Sequence, residues 1–424
     1  MLDINFIREN KDIIKDSARK KNVDVDIDRL LEIDDKRRSL IQVVEKLREK
    51  QNTANQEISQ SSGPQKEEAI KKMQELKEEL KERESKLQGI IKEWRSYMLL
   101  VPNIPDVTVP EGKSDEENKE IKEWGSKPKF NFTPKSHVEI ADTLKLADFE
   151  RGTKVSGFRG YFLKRDGFLL NFALWQHAID FFMKGSGFTP IMTPSLINKE
   201  MFLGTGYIPQ GEDDLYKTQD GQYLTGTSEV PIMGYYMDEI IDKKDLPIKF
   251  LGFSPCFRRE AGSYGKDTKG LMRVHEFYKF EQVILCEANH EESVRWHEWI
   301  NGNIEAFIET LGIPYRTVIN CGGDLGLGQV KKYDVELWVP SEDKYREISS
   351  ASYFHDFQTR RLNIRYRDTD GKMFFVHSLN CTAAPTPRLL ISILENNQQA
   401  DGSVLIPEAL RPYMNNRERL EPVS

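Results

Sequence analysis

The stretch FRREAGSYGKDTKGLMRVHEFYKFE, residues 257–281, decides the fold of the region around it. It predicts two strands joined by a long loop that contains Gly262 and Gly265. Because alternate side chains of an extended strand share a face, Arg258 and Glu260 are predicted to point the same way. One face of the second strand is predicted to present five polar or aromatic side chains: Arg273, His275, Phe277, Lys279 and Glu281.

The order of these side chains favours a ligand that is flat at one end and cationic at the other. Phe277 and Glu281, four residues apart, should be separated by roughly 13 Å at about 3.3 Å per residue. An aromatic ring, arginines and a carboxylate in this order suit a flat base, a phosphate and an amine, the outline of an aminoacyl-adenylate. The alternative is the polar, solvated outer face of an antiparallel hairpin.

The chain has 424 residues, a length that predicts two or three domains. Of these residues 38% are hydrophobic and 30% are charged. No apolar run approaches the roughly 20 residues that span a bilayer, and the start MLDIN has no pattern of a targeting segment, so no membrane is expected. The net charge of −7 neither indicates nor excludes a nucleic acid partner, because a polyanion needs only a local basic surface. No CxxC pair occurs among Cys256, Cys286, Cys321 and Cys381, so neither a zinc site nor a disulfide framework is predicted, and a cytoplasmic location is expected.

Two segments near the N-terminus place apolar residues at heptad spacing. They include Leu30, Ile33, Val44 and Leu47 in the first segment and Met73, Leu80, Leu87 and Trp94 in the second. Such a seam needs a partner helix, and the polar link Ser61–Pro64 predicts that the chain reverses. We therefore predict an antiparallel two-helix coiled-coil arm over about residues 27–98, with each helix some 45 Å long at about 1.5 Å per residue. A dimerising coiled coil or a structural rod is the alternative use of these heptads.

The chain beyond this arm is predicted to form an α+β domain, an antiparallel sheet flanked by helices, and we place the domain boundary between residues 105 and 106. Strands are expected near 189–192, 248–258, 272–286, 333–339 and 373–381, with helices at about 168–184 and 387–398. Long strand–loop–strand pairs favour antiparallel pairing. GxGxxG and Walker-type loops are absent from the sequence, so neither a Rossmann nor a P-loop nucleotide site is expected.

The motifs of this region resemble those of class II aminoacyl-tRNA synthetases and, in detail, those of the seryl-tRNA synthetases. Residues 257–277 resemble motif 2 of the class, Gly187–Ser195 resembles motif 1, which builds the dimer interface, and residues 379–396 resemble motif 3. Thr225–Val230 is similar to the loop that folds over the serine substrate, although alone this segment would be a helix N-cap. Motif 3 has Ala and Pro here where many members of the class have glycine.

The resemblance implies a role for each matching residue. It implies that ATP is bound by Arg258, Arg259, Glu260, Arg273, Val274, Phe277, Glu347, Ile348, Ser349, Ser350 and Arg388. It implies that serine is bound by Thr227, Ser228, Glu229, Arg258, Glu281, Asn380 and Thr382. Catalytic roles are implied for Arg258, Glu260 and Arg388, and Glu347 and Ser350 are implied to hold Mg²⁺ through oxygen ligands. His275 and His355 are expected to be structural histidines rather than catalytic bases.

The function implied by the resemblance is ATP-dependent activation of L-serine followed by transfer of the seryl group to tRNA(Ser). The helical arm is implied to bind the tRNA, the chain is implied to be a homodimer, and a selenocysteine tRNA is left open as a second acceptor. Two rivals differ in class. A serine-activating relative that loads a carrier protein would not need the arm, and a non-catalytic coiled-coil paralogue would have lost motif residues such as Arg258 and Glu281.

Overall fold

The computed structural model describes residues 1–60, 62–263 and 265–422. The chain divides into two compact units, Leu2–Pro102 and a second unit that begins at Asn103 and also includes Met1. This division lies close to the boundary that we placed between residues 105 and 106. No helix among the described residues combines the length and the apolar character that a bilayer crossing requires.

All the regular elements described in the first unit are helices. Its helices are α1 (Ile4–Glu9), α2 (Lys11–Lys20), α3 (Ile27–Gln60) and α4 (Pro64–Leu100). Helices α3 and α4 are antiparallel, since Arg29 pairs with Glu93 at 2.9 Å and Arg48 pairs with Glu84 at 2.7 Å. The predicted helical hairpin is therefore confirmed.

The seam of the hairpin is built from the heptad residues. Val44, Leu47 and Leu80 are buried against one another, and the Arg37 guanidinium lies 4.5 Å from the centre of the Trp94 ring. Of the predicted link, Ser61 lies outside the described residues, and Pro64 occupies the first turn of α4, where its missing N–H costs no hydrogen bond. With 34 residues in α3, this helix is about 50 Å long.

The second unit combines short helices with one large sheet. Its helices are α5 (His137–Thr143), α6 (Phe149–Ser156), α7 (Asp166–Met183), α8 (Lys199–Thr205), α9 (Glu229–Tyr235), α10 (His290–Thr310), α11 (Phe357–Leu362) and α12 (Arg388–Asn396). Its strands are β1 (Lys119–Trp124), β2 (Ala147–Asp148), β3 (Phe162–Leu163), β4 (Thr189–Met192), β5 (Leu196–Ile197), β6 (Tyr223–Leu224), β7 (Ile240–Asp242), β8 (Ile248–Phe257), β9 (Glu276–Cys286), β10 (Tyr315–Ile319), β11 (Lys331–Val339), β12 (Lys344–His355), β13 (Arg365–Arg367), β14 (Met373–Phe375), β15 (His377–Thr386), β16 (Val404–Leu405) and β17 (Arg419–Leu420).

The main sheet has eight strands in the order β1-β10-β11-β12-β15-β9-β8-β4. Every neighbouring pair is antiparallel except β4 and β8, which are parallel. Helix α10 covers the sheet with Trp296, Ile300, Ile304 and Phe307, whose spacing of three and four residues makes one apolar helical face. The predicted α+β class, with a mainly antiparallel sheet flanked by helices, is confirmed.

The strands around the quoted stretch are shorter than predicted. Strand β8 ends at Phe257 and β9 begins at Glu276, so Arg258, Glu260, Arg273 and His275 lie on the connection rather than on regular strands. Glu260 has a φ of +54°, a left-handed conformation that breaks strand alternation and is uncommon for residues other than glycine. The single strand predicted at 373–381 is also wrong, because β14 and β15 are separated at Val376.

Candidate active site

A cavity of about 360 Å³ opens where β8, β9, β12 and β15 meet the start of α9 and of α12. The structure brings together all but three of the residues implied by the motifs. Those that line the cavity are Thr227, Glu229, Arg258, Glu260, Arg273, Val274, Phe277, Glu281, Glu347, Ile348, Ser350, Asn380, Thr382 and Arg388.

Three implied residues, Arg259, Ser228 and Ser349, do not line the cavity. Arg259 donates instead from Nη1 to the Asp213 carbonyl at 3.1 Å, and Ser349 donates to the Thr382 carbonyl at 2.6 Å. Ser228 is buried against the sheet, where a Cβ atom on Gly252 would lie only 2.7 Å from Ser228 Oγ. Each is a neighbour in the chain of a lining residue, but only Ser349 lies on a strand; Ser228 precedes the first residue of α9, and Arg259 lies on the connection after β8.

Strand β9 presents its odd-numbered residues to the cavity. Phe277, Lys279 and Glu281 line it, whereas Glu276 and Tyr278 line a second cavity of about 650 Å³. His275 was predicted on the face of Phe277, but it lines the second cavity, and its Nδ1 lies 2.9 Å from the Arg258 carbonyl oxygen. The prediction was wrong for His275 because regular alternation begins only at Glu276.

His355 also lies away from the cavity. Its Nε2 is 3.2 Å from His290 Nδ1, and its ring centre is 4.8 Å from that of His377. Burial lowers the pKa of His355 and of His377 to about 4, and the neighbouring imidazoles add to the effect. Both rings are therefore neutral at pH 7.

One end of the cavity is a buried polar cluster around Glu281. Glu281 pairs with Lys279 on the same strand, and both side chains are buried. Thr227 and Thr382 direct their hydroxyls at Glu281 Oε2, each at 3.4 Å. Lys279 was placed on the correct face by alternation but was given no role, and its Nζ also lies 3.4 Å from Thr382 Oγ1. The cluster can accept an ammonium group at Glu281 and offer a cation at Lys279.

Glu229 lies at this same end and is held by two neutral donors. The Tyr207 hydroxyl donates to Oε2 at 3.0 Å, and the Gln358 amide donates to Oε1 at 2.7 Å. Burial raises the pKa of Glu229, while the hydrogen bond from Gln358 opposes this rise. Sequence analysis found neither partner, since Tyr207 and Gln358 lie 22 and 129 positions from Glu229 along the chain and no local pattern links them to it.

The other end of the cavity concentrates positive charge on Arg258, Arg273 and Arg388. Arg258 forms no ion pair within the described ranges; it donates to the Gly226 carbonyl at 3.3 Å and lies 5.3 Å from the centre of the Phe277 ring. Arg388 donates to the carbonyls of Met272 and Glu347 at 3.1 and 2.9 Å. Burial lowers the pKa of Arg388, and the nearby Arg258 and Arg273 guanidiniums lower it further. A phosphate chain would relieve this repulsion.

Carboxylates position part of this arginine cluster. Arg273 pairs with Glu260 and with Asp267, each at 2.9 Å, and Asp267 also pairs with Arg346 at 2.7 Å. Burial alone would raise the pKa of Glu260, but the Arg273 hydrogen bond and the charge of Arg258 hold it below its usual value. Glu260 is therefore an ionised hydrogen-bond acceptor at the cavity wall.

A β-bulge brings Glu347 and Ser350 onto one face of β12. Glu347 is opposite Glu336 and Ser350 is opposite Asp334, with the register shifted between them. Because Asp334 and Glu336 are two residues apart on β11, their partners point the same way despite their spacing of three. A carboxylate and a hydroxyl oxygen on one face of the cavity are donors that fit Mg²⁺.

Comparison with known proteins first defines the class. Residues 214–397 match the family model described as tRNA synthetase class II core domain (G, H, P, S and T). A prolyl-tRNA synthetase of Giardia lamblia, solved with prolyl-adenylate, is 17% identical with a TM-score of 0.57 over 66% of this chain and 57% of that one. At that identity the likeness concerns the fold alone.

Matches to the N-terminal region and to the full length of the chain identify the particular family. Residues 1–105 match the seryl-tRNA synthetase N-terminal domain, and the serine–tRNA ligase of Deinococcus radiodurans is 45% identical over 100% of both chains. The seryl-tRNA synthetase of Pyrococcus horikoshii, crystallised with ATP, superimposes with a TM-score of 0.90 at 38% identity over 100% of both chains. The cytoplasmic enzyme of Naegleria fowleri, solved with AMP, gives 0.86 at 32% identity over 100% of this chain and 99% of that one. This chain belongs to the seryl-tRNA synthetase family.

Proposed function

We propose that this chain activates L-serine with ATP and transfers the seryl group to tRNA(Ser), with a selenocysteine tRNA as a second acceptor to be tested. The observation that supports this most is the cavity itself. It joins an arginine cluster beside an aromatic ring to a polar end that contains the buried side chains of Glu229 and Glu281. Relatives solved with ATP and with AMP support an adenine nucleotide at the arginine end.

In the first step the serine carboxylate attacks the α-phosphorus of ATP. A P–O bond forms to serine, the bond between the α- and β-phosphates breaks, and pyrophosphate leaves with its electrons. Arg258, half-buried and without an ion pair among the described residues, would bind the α-phosphate and the serine carboxylate. Its charge would stabilise the negative charge that grows on the phosphorane oxygens.

The base of ATP would lie against Phe277, with Glu260 accepting from the adenine amine. Arg258 now occupies the face of the Phe277 ring at 5.3 Å, so the adenine would replace or extend this cation–π contact. Arg388 would cover the base or reach the γ-phosphate, and Arg273 would hold Glu260 in its ionised form. Val274 and Ile348 would supply the apolar walls.

The polar end would select serine. Glu281 and Thr227 would bind the ammonium group, and Lys279 would then turn from Glu281 to the serine carboxylate. Glu229 and Thr382, with Asn380 nearby, would meet the hydroxyl. A site built for a hydroxyl rejects an analogue without one by about 10⁴ or more, whereas the extra methyl of threonine is excluded by a size effect worth about 1–3 kcal/mol.

Mg²⁺ would be held by Glu347 and Ser350, whose shared face supports this proposal. When bound, it would neutralise charge on the phosphates. The carboxylate of Glu347 also lies 3.7 Å from Arg388 Nη1, so Glu347 would link the ion to the arginine cluster. Ser349 and Arg259 would act indirectly, through the backbone that they fix.

The arm would bind the tRNA, with residues 1–105 as the tRNA-binding domain and residues 106–424 as the catalytic domain. Several of its charges are paired internally, such as Lys72 with Glu68 at 3.0 Å. In the described part of the arm, Lys71, Lys77 and Lys81 form no ion pair, so they are available to phosphates. After adenylate formation, the ribose hydroxyl of the tRNA would take the seryl group.

A homodimer is supported by an exposed apolar edge. Strand β4 lies at the edge of the large sheet, and Met192 on it is 78% exposed. Phe168 and Phe172 on α7 expose a further apolar surface nearby in sequence. Apolar surface of this kind beside an open strand marks a protein interface. The cytoplasm is proposed as the location because all four cysteines are buried free thiols.

ATP–pyrophosphate exchange with a panel of amino acids tests the activation step. The proposal expects exchange with serine that exceeds exchange with alanine, threonine and glycine. Exchange with none of them would support the non-catalytic paralogue, and exchange with another amino acid would overturn serine as the substrate.

A further inference from the structure

Glu229, the acidic residue proposed to accept a hydrogen bond from the serine hydroxyl, itself receives a hydrogen bond from Gln358, which lies outside the cavity lining. Gln358 on α11 is 1% exposed and is not among the residues that line the cavity. Its Nε2 donates to Glu229 Oε1 at 2.7 Å and also to the Thr205 carbonyl oxygen at 3.2 Å. Both contacts are with groups that only accept, so the amide nitrogen must face Glu229.

The orientation of the Gln358 amide is fixed at its other end. Ser378 on β15 donates from Oγ to Gln358 Oε1 at 2.7 Å, and Ser378 is also 1% exposed. A flipped amide would place its carbonyl oxygen against the Glu229 carboxylate and its nitrogen against the Ser378 hydroxyl. The hydrogen bonds therefore run in one direction: Ser378 donates to Gln358, and Gln358 donates to Glu229.

With these hydrogen bonds in place, the Glu229 carboxylate can still accept a further hydrogen bond. Each carboxylate oxygen has two lone pairs, and each receives one donor, from Gln358 on Oε1 and from Tyr207 on Oε2. A hydroxyl that enters the cavity can therefore donate to Glu229 without displacing either partner. Burial raises the pKa of Glu229 and the Gln358 hydrogen bond opposes this, so loss of Gln358 favours the protonated acid.

We propose that Gln358 is a positioning residue for amino-acid specificity, which keeps Glu229 an oriented acceptor for the side-chain hydroxyl of the substrate. The inference rests on the proposed serine activation and names the residue that gives it selectivity over alanine. Gln358 itself touches no substrate, and it acts only through Glu229. Ser378 supports the same function one step further away.

The test is ATP–pyrophosphate exchange of the full-length protein with serine and with alanine. Gln358→Met should lower kcat/KM for serine about 10- to 100-fold, mainly through KM, the factor expected for one lost hydrogen bond to a charged group. The value for alanine should change little, so the serine-to-alanine ratio falls by at least tenfold while the KM for ATP is unchanged. The acidic limb of the serine pH profile should shift to higher pH, because the carboxyl loses a donor that favours its ionised form.

Gln282→Met is the matched control. Gln282 on β9 is also fully buried and donates to the Ile300 carbonyl at 3.0 Å, but it lies outside the cavity lining and makes no contact with Glu229. Its replacement should leave the serine-to-alanine ratio and the pH profile unchanged. An equal loss of the ratio in both variants would overturn the inference, because it would indicate a general packing effect.

Ser378→Ala covers the case in which Gln358→Met does not fold. It keeps the amide but frees it to flip, so the ratio should fall at least threefold. An unchanged ratio in the folded variants, with wild-type exchange on serine, overturns the inference and leaves the proposed function standing. Absence of serine-dependent exchange in the wild type overturns both.

Discussion

Single and double substitutions of the buried ion pair Lys279–Glu281 should affect the free energy of unfolding and the serine activation differently. Both side chains are buried, with 5% and 2% exposure, on one strand in the wall of the cavity. Removing one partner leaves the other charge buried without compensation, while removing both leaves none. We therefore expect Glu281→Gln and Lys279→Met to destabilise the protein singly, and the double variant to recover most of the loss.

The magnitude follows from the burial of the pair. Breaking a buried ion pair by removing one partner costs about 3–5 kcal/mol, whereas replacing both partners by uncharged residues is often neutral. Each single variant should thus lose about 3–5 kcal/mol in the free energy of unfolding. The double variant should lose far less than the sum, which gives a large coupling energy between the two positions. Serine activation should stay lost in the double variant, since Glu281 is the proposed ammonium ligand.

Urea unfolding followed by tryptophan fluorescence measures this cycle. All tryptophans except Trp94 lie beyond Asn103, so the signal reports mainly the unit that contains the cavity. Arg295→Ala is the control, because Arg295 pairs with Glu292 at 2.6 Å on the surface of α10, and an exposed pair is worth at most about 1 kcal/mol. Additive losses in the double variant, or single losses no larger than that of Arg295→Ala, would refute the reasoning.

Three further predictions address the site, the arm and the pH dependence. Arg258→Ala should lower kcat of serine-dependent exchange by about 10²–10³ or more with an unchanged urea midpoint, and normal exchange would contradict its role. Deleting residues 35–92 and joining the ends with a short glycine linker keeps the Arg29–Glu93 pair; it should spare exchange and cripple tRNA charging, and full charging would make the arm structural. His355 and His377, with pKa values of about 4, take up protons only after the unfolded chain has done so near 6.5. The contribution of these two histidines to the free energy of unfolding should therefore be fully present above pH 6.5 and be lost as the pH falls from 6.5 to 4. The His355→Gln variant should show a shallower fall in urea midpoint over this range, and an identical profile would contradict the assignment.

Periodicity in the sequence predicted the parts of the molecule that are locally regular. The heptad columns predicted the arm because Val44, Leu47 and Leu80 meet at the seam of two long helices. Alternation predicted that Phe277 and Glu281 share a face because β9 is a regular strand over that range. The same argument failed for His275, which precedes the strand.

Contacts that depend on the tertiary fold could not be predicted from the sequence. Gln358 reaches Glu229 across 129 positions, and no local pattern indicates such a pair. Glu347 and Ser350 share a face only because of a bulge at Ile348, so their role was implied by resemblance alone. The contact between Lys279 and Glu281 differs from these, because their spacing of two residues on one strand already indicated an ion pair, which we did not infer.

Charging of tRNA by the full-length protein tests the central claim most directly. Purified protein, ATP, serine and serine tRNA should yield an alkali-labile seryl ester on the tRNA, and none should form with alanine or with a tRNA for another amino acid. Serine-dependent exchange without any seryl-tRNA would contradict the account and favour a protein that loads a carrier.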